Sequence, residues 1–380
     1  MSISNIRSRF PFYDNPGVLY LDSAATTQKP DSVIRAVQDY LRQVANPGRS
    51  SYPLAESIRH RIEEVRAQTA RFFGANDPDS IIFTAGCTSA LNLLALGLRD
   101  TLAPGDEVLV HRNDHKACIL PWMHFPEVNI VEYAVNPFNG TIDGADLLAK
   151  ISKKTRIVVL THSNNIYGVL NPIREISRAI PDNCFVIVDG AQSAGHCPVN
   201  VSEIGADAFA CSGHKMFSLE GVGIVWTSNR LRSLLRPVQF GGGSHPFEPG
   251  TINATGIISF GAALSFLEEV GLDAIDKHIH TLTRYGVDQL SALGCIDFLP
   301  GFAYDKTQRP TGIVSFRVPG LSSVDLAYQL AQKRIYVRAG SHCSSGSEAA
   351  LDSVRISLHV YNTTDELDIL TDALRCSIAS

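Results

Sequence analysis

An α/β protein with a mostly parallel sheet is the fold this sequence predicts, on three observations. Short apolar runs such as Val186-Ile187-Val188 and Ala208-Phe209-Ala210-Cys211 are bounded by polar or small residues, as in buried strands. Such runs alternate with helical stretches, which argues for parallel strands covered by helices. At 380 residues, 44% hydrophobic and 19% charged, the chain is an ordinary globular sequence too long for one simple core. A composition shift around residues 255–275 divides it into a large unit, 15–260, and a small α+β unit, 261–380, completed by residues 1–14.

The elements follow in order. An irregular arm leads to a strand at Gly17–Leu21 and a small, polar loop, Asp22-Ser23-Ala24-Ala25-Thr26-Thr27, that lets a ligand come close. Helices are predicted over 30–44 and 54–73, the second capped by Gly74. The strand Ile81–Thr84 runs into Ala85-Gly86-Cys87-Thr88-Ser89, a small-residue turn opening a helix. Free amides and a positive dipole end make such a turn a ready phosphate site. Strands are predicted at 107–111, 129–134, 156–162, 185–189, 208–212 and 223–227, with helices at 116–122, 144–151, 173–180 and 201–204. Beyond a glycine-rich loop at 241–243, long helices cover 258–270 and 274–293. The small unit has strands at 312–318, 336–339 and 354–360 and helices at 323–333 and 364–377.

Several functions are disfavoured. A net charge of −5 with no basic stripe argues against nucleic acid as a partner. No apolar run is long enough to cross a bilayer, and Met1–Arg7 lacks a signal peptide's apolar core. The eight cysteines form no CxxC pair, so no metal site is expected. Their scatter fits a reducing cytoplasm, with six or seven as small core residues and Cys343 as the exception.

The chemistry centres on Asp189, which ends an apolar run, and Lys215, in the turn Ser212-Gly213-His214-Lys215 that ends the next one. Ligands of α/β sheets gather at the carboxyl ends of strands. A lysine to bond an aldehyde and a carboxylate to pair a pyridinium nitrogen are what pyridoxal 5'-phosphate needs. Lys215 is therefore the expected covalent anchor and Asp189 the ring partner, with Gln192 one turn on. Arg355 opens a strand-like segment, Val354–Val360, and a guanidinium can grip a carboxylate through two parallel hydrogen bonds. Cys343 lies in a small polar loop, Ser341-His342-Cys343-Ser344-Ser345-Gly346-Ser347, with little to bury it. An exposed thiol near cations has a usable thiolate fraction.

Tyr20-Leu21-Asp22-Ser23-Ala24-Ala25, Phe83-Thr84-Ala85-Gly86-Cys87-Thr88, Val188-Asp189-Gly190-Ala191-Gln192, Ser212-Gly213-His214-Lys215, Arg338-Ala339-Gly340-Ser341-His342-Cys343 and Arg355-Ile356-Ser357 together resemble the class V aminotransferase group of fold-type I pyridoxal phosphate enzymes. Within it, the chain is most similar to the SufS-like cysteine desulfurases. The resemblance implies conversion of L-cysteine to L-alanine, with sulfur passing to Cys343 as a persulfide for an acceptor protein. It implies that Lys215 shuttles the α-proton, that His115 stacks on the cofactor ring, and that Gln192 and Asn165 lie near its phenolic oxygen. Phosphate contacts are implied for Gly86, Cys87, Thr88, Ser212 and His214, and for Thr251 from the partner of a homodimer with a shared site. Arg355, helped by Arg338 and Asn165, is implied to hold the amino-acid substrate. Selenocysteine, cysteine sulfinate and cystine lyases and amino-acid epimerases share the scaffold and are the alternatives. Three positions depart from the usual pattern: Cys87 for a threonine, Lys116 for a second histidine, and Ser218-Leu219-Glu220-Gly221 for a Gly-Pro-Thr-Gly turn. The short interval from Cys343 to Arg355 fits a compact SufS-like loop, although Cys-Ser-Ser-Gly-Ser resembles the NifS/IscS-like wording.

Overall fold

Side-chain alternation along the central strands builds two cores, one on each face of a seven-stranded sheet. Phe209 and Cys211 enter one core with Val186, Val188, Val158 and Leu160, whereas Ala208 and Ala210 enter the other with Ile187, Ile157 and Val159. A period of two does this, because successive side chains of a strand point to opposite faces. The computed structural model describes residues 5–47, 50–243, 245–344, 346 and 351–379.

The sheet order is Ile81–Thr84, Gly223–Thr227, Ala208–Ser212, Phe185–Asp189, Thr155–Thr161, Glu107–Val110 and Asn129–Glu132. Gly223–Thr227 runs antiparallel to both of its neighbours, and the remaining pairs are parallel. The expected α/β fold with a mostly parallel sheet is therefore present, and six strands point their carboxyl ends to one edge. Helices Asp31–Leu41 and Pro53–Phe72 pack on Ala254–Val270 over one face, and Cys87–Leu98 covers the other. Pro53–Phe72 ends as expected at Gly74, whose φ of +68° lets the Gly74 and Ala75 amides reach the carbonyls of Arg71 and Ala70. Residues 201–204 form turns, not the predicted helix: the Asn200 carbonyl accepts from the Glu203 and Ile204 amides, and Gly205 (φ +77°) ends the segment after that single turn.

The smaller sheet is antiparallel, in the order Arg338–Gly340, Ser353–Ser357, Ile313–Arg317, Asp297–Phe298. It shares a core with Leu272–Ser291, Ser323–Gln332 and Thr364–Ala379. Ala254–Val270 buries its residues in the large core, and the chain bends by 76° before Leu272–Ser291 packs on Thr364–Ala379. Ile275 and Ile279 still join the large core, so the packing partner changes along Leu272–Ser291 itself. The arm, expected with the small unit, ties both together. Ile6 and Phe10 join the large core, Phe10 against Phe217 and Phe266, while Arg7 reaches the Tyr361 carbonyl and Glu366. Leu19–Tyr20 pairs with Ile335–Tyr336. Among the described residues no single helix is long and apolar enough to cross a membrane. Five cysteines are buried; Cys295 is half-buried, and Cys376 joins Cys343 in being exposed.

One buried ion pair closes the sheet edge. Ile81–Thr84 is an edge strand, and its outward Phe83 amide donates to Glu248 while its Ile81 carbonyl accepts from Arg66. Arg66 and Glu248 meet through two hydrogen bonds of 2.7 and 2.8 Å, with side chains 3% and 4% exposed. Removing Glu248 takes two charge-assisted hydrogen bonds from the buried Arg66 and leaves it one carboxylate, the half-exposed Glu63 at 2.8 Å, at a cost of about 3 kcal/mol. Glu248→Gln is expected to lower the urea midpoint accordingly. Arg66→Met/Glu248→Leu is expected to recover part of the loss, and an unchanged midpoint in Glu248→Gln would refute the pin.

Candidate active site

Thr161, Asp189 and Ser212 end three adjacent strands, so their side chains meet at the carboxyl edge of the sheet. There they line a cavity of about 260 Å³ with Cys87, Thr88, His115, Asn165, Gln192, His214, Lys215, Arg338, His342, Cys343 and Arg355. Every site residue expected from the sequence lines it except Gly86 and Thr251. Gly86 lies in the adjoining shallow recess with Thr88, Ser212, His214 and Glu220. Thr251 lines a separate groove of about 350 Å³.

The helix Cys87–Leu98 opens without a side-chain cap. The Cys87 amide donates to Ser212 Oγ at 2.8 Å, and Thr88 and Ser89 line the recess that His214 borders. Close approach there needs glycine, since a Cβ on Gly223 would lie 2.7 Å from Gly86 Cα. An uncapped helix start beside a serine and a histidine suits a phosphate. Burial, with Lys215 and Lys29 adding, pushes the His214 pKa down to about 4, so its ring is a neutral donor.

Lys215 sits in a single turn, Gly213–Lys215, that the loop after Leu21 holds from one side. The His214 carbonyl accepts from the Thr27 amide (2.9 Å), Thr27 Oγ1 (3.0 Å), Thr26 Oγ1 (3.2 Å) and Lys29 Nζ (3.3 Å). Glu220, one of the unexplained departures, lies 3.7 Å from Lys29 Nζ and accepts from Thr26 Oγ1. It therefore belongs to the clamp that presents Lys215. Burial lowers the Lys215 pKa; Arg355 and Arg338 act in the same direction, and Asp189 opposes it.

Asp189 is 5% exposed and takes the Ala191 amide at 2.8 Å. The thiols of Cys87 and Cys118 approach its two oxygens at 3.3 and 3.2 Å. Gln192 Nε2 donates to the Ala24 carbonyl and keeps a second N–H free. His115 Nδ1 accepts from the Ala117 amide, which puts the ring proton on Nε2, and burial lowers its pKa.

On the opposite wall, Arg355 is buried and donates to the Asn165 carbonyl (3.0 Å) and to Asp22 Oδ1 (3.1 Å). Three N–H groups remain for a substrate carboxylate. Arg338 Nη2 lies 3.3 Å from Cys343 Sγ. The Cys343 loop is held at several points. Lys116 N donates to the Cys343 carbonyl, Asn165 Nδ2 to the His342 carbonyl, and Gly346 N to Ser344 Oγ. His342 Nε2 faces Ser353 Oγ at 2.9 Å, and burial lowers its pKa to about 3. Both His342 (φ +55°) and Cys343 (φ +64°) are left-handed, a strain found at functional sites.

Sequence reading did not find Asp22, Cys118, His342 or the Thr26–Lys29 clamp. Asp22 and Arg355 are 333 residues apart, and Cys118 and Asp189 71 apart. A charged residue closing the first strand was the one local signal for Asp22.

The donor set fits pyridoxal phosphate: a lysine of lowered pKa, a buried carboxylate, an amide, a neutral histidine and an uncapped helix start surround one cavity. Known proteins agree. A family model for aminotransferase class-V matches residues 19–370. The chain is 36% identical to a protein of Halalkalibacterium halodurans named probable cysteine desulfurase, over 98% of this chain and 97% of that relative. It is 32% identical to the cysteine desulfurase of Dickeya dadantii, over 98% of this chain and 96% of the relative. The apo structure of a cysteine desulfurase from Thermococcus onnurineus NA1 superposes with a TM-score of 0.93 at 29% identity, covering 100% of this chain and 99% of that one. The chain belongs to the class V aminotransferase family.

Proposed function

We propose that this protein is a pyridoxal phosphate-dependent cysteine desulfurase, converting L-cysteine to L-alanine and leaving its sulfur on Cys343 as a persulfide. One observation carries the reading: an exposed thiol beside a guanidinium shares its cavity with the family lysine and with a half-engaged buried arginine. When bound, the cofactor supplies a ring that withdraws electrons from an amino acid's α-carbon. Lys215, Asp189, Gln192, His115, Thr88, Ser212 and His214 would hold it.

The chain's own residues account for the rest. Arg355 fixes the substrate carboxylate through its free N–H groups, and Asp22 holds the guanidinium still. Lys215 Nζ, whose proton is loosely held, takes the α-proton and returns it. Cys343 Sγ, 3.3 Å from Arg338 Nη2, attacks the substrate sulfur: an S–S bond forms, the Cβ–S bond breaks, and a proton completes alanine. Cysteine and a thiol thus become alanine and a persulfide, with no outside oxidant.

The acceptor we infer is a protein thiol that takes the outer sulfur and restores Cys343. We also infer a homodimer, on the exposure of Phe240 (88%) and Leu96 (46%) beside the groove that holds Thr251. A cytoplasmic setting suits a thiol that must be reduced at the start of each cycle. The test is to incubate purified protein with L-cysteine and to assay alanine, pyruvate and protein-bound persulfide together. Alanine with persulfide in equal amounts supports the reading. Pyruvate without persulfide would replace it with β-elimination, and sedimentation as a monomer would remove the dimer.

A further inference from the structure

Two buried thiols grip the carboxylate at the floor of the cavity. Cys87 comes from the start of a helix, with its Sγ 3.3 Å from Asp189 Oδ1. Cys118 comes from the end of the turn that follows His115, with its Sγ 3.2 Å from Oδ2. The Ala191 amide, at 2.8 Å, supplies the neighbouring strong donor. Cys118 is 1% exposed and Cys87 5% exposed, and neither takes part in a disulfide. Burial, followed by the charge of Asp189, pushes both thiol pKa values well up, so both carry a proton to donate.

Sulfur differs from oxygen here. A hydroxyl is a strong donor to an ionised carboxylate, and each such bond stabilises the anion and weakens it as a base. A thiol is a weak donor but a bulky one. Two thiols on opposite oxygens therefore restrict rotation of the carboxylate and exclude water while leaving most of its charge available. We propose that Cys87 and Cys118 are positioning residues for Asp189, fixing its orientation while reserving its charge for the ring N–H of the cofactor. The inference rests on the pyridoxal phosphate reading above. It gives a role to Cys87, one of the departures from the usual pattern, and it couples the His115 loop to the ring partner through Cys118.

The experiment compares the wild-type protein with Cys87→Val, Cys118→Val, the double variant and Cys118→Ser. Valine removes the donor at similar volume, and serine returns a donor. Cofactor affinity is titrated, the ring nitrogen of ¹⁵N-labelled pyridoxal phosphate is followed by NMR in the loaded protein, and the S–H stretch is recorded by infrared in the cofactor-free protein. In the double variant the dissociation constant is expected to rise about tenfold, the worth of two weak bonds. Its ¹⁵N resonance is expected to move toward the unprotonated position. Cys118→Ser should keep affinity within about twofold of wild type while its resonance moves part of the way, because a hydroxyl takes up more of the charge. The wild-type S–H stretch should lie below that of a free thiol.

A double variant that matches wild type in affinity and resonance reduces the two cysteines to packing and overturns the inference, leaving the proposed function standing. An S–H stretch at the free-thiol position overturns it as well. Should the valine variants fail to fold, Cys118→Ser decides alone: a resonance identical to wild type refutes the role. A wild-type protein that takes up no pyridoxal phosphate ends both the proposed function and this inference.

Discussion

Cys343→Ala is expected to abolish transfer of sulfur from L-cysteine, lowering the rate by roughly 10³-fold or more, the scale of losing a nucleophile. The cofactor should still load, because Lys215, Asp189 and Gln192 keep their contacts. Cys343 touches the rest of the site through Arg338 at its sulfur and Lys116 at its carbonyl, and alanine keeps the backbone that makes the second contact. Its left-handed φ of +64° is no easier for alanine, so the loop gains no new strain. Alanine formation and protein-bound persulfide should vanish together, while the visible absorbance of the loaded protein survives. Full alanine production by the variant would exclude a persulfide on Cys343. Loss of alanine with a rise in pyruvate would show that the amino acid still binds and reacts but finds no sulfur acceptor.

That outcome depends on parts of the site that differ in how readable they are in sequence. Asp189 and Ser212 end apolar strands, and a strand's last residue sits at the sheet edge whatever the rest of the chain does. Local pattern therefore brought Asp189, the turn at Cys87–Thr88 and Lys215 to one cavity. The contacts that tune these groups are long-range. Thr27 holds the His214 carbonyl across 187 residues of sequence, Asp22 meets Arg355 across 333, and Cys118 meets Asp189 across 71. No periodicity reports such pairings, because they arise only when the strands are laid side by side. Cys118 shows the same limit: in sequence it is one more small apolar residue, and only the folded chain turns its thiol toward a carboxylate. Val201–Ile204 failed for a local reason. Four residues give too few turns to nucleate a helix, and Gly205, with φ +77°, ends the segment after one turn. The division into units has no sharp mark in the sequence, because one helical pattern continues through a 76° bend and changes its packing partner along Leu272–Ser291.

Lys215→Arg is the second large effect expected. Arginine keeps the positive charge and most of the length, but its proton does not leave at any working pH, so it is neither nucleophile nor base. Loss of the proton-transfer group alone is expected to lower alanine formation by about 10²–10⁴-fold. The variant should bind pyridoxal phosphate without a covalent link, so borohydride treatment followed by dialysis leaves no cofactor on the protein. The environment of Lys215 adds a prediction of sign. Burial lowers its pKa, the nearby Arg355 and Arg338 push the same way, and Asp189 pushes back. The neutral amine is the reactive form. Covalent loading of the cofactor-free protein should therefore rise with pH around a midpoint below that of an ordinary lysine, about 10.4. Arg338→Met removes a charge that favours the neutral amine, so its midpoint should move to higher pH. Asp189→Asn removes a charge that favours the ammonium, so its midpoint should move to lower pH. Opposite shifts from two residues that line the same cavity are what an electrostatic cause requires, since loosened packing would move both in one direction. Shifts of the same sign, or activity in Lys215→Arg within tenfold of wild type, would remove Lys215 from the centre of the mechanism.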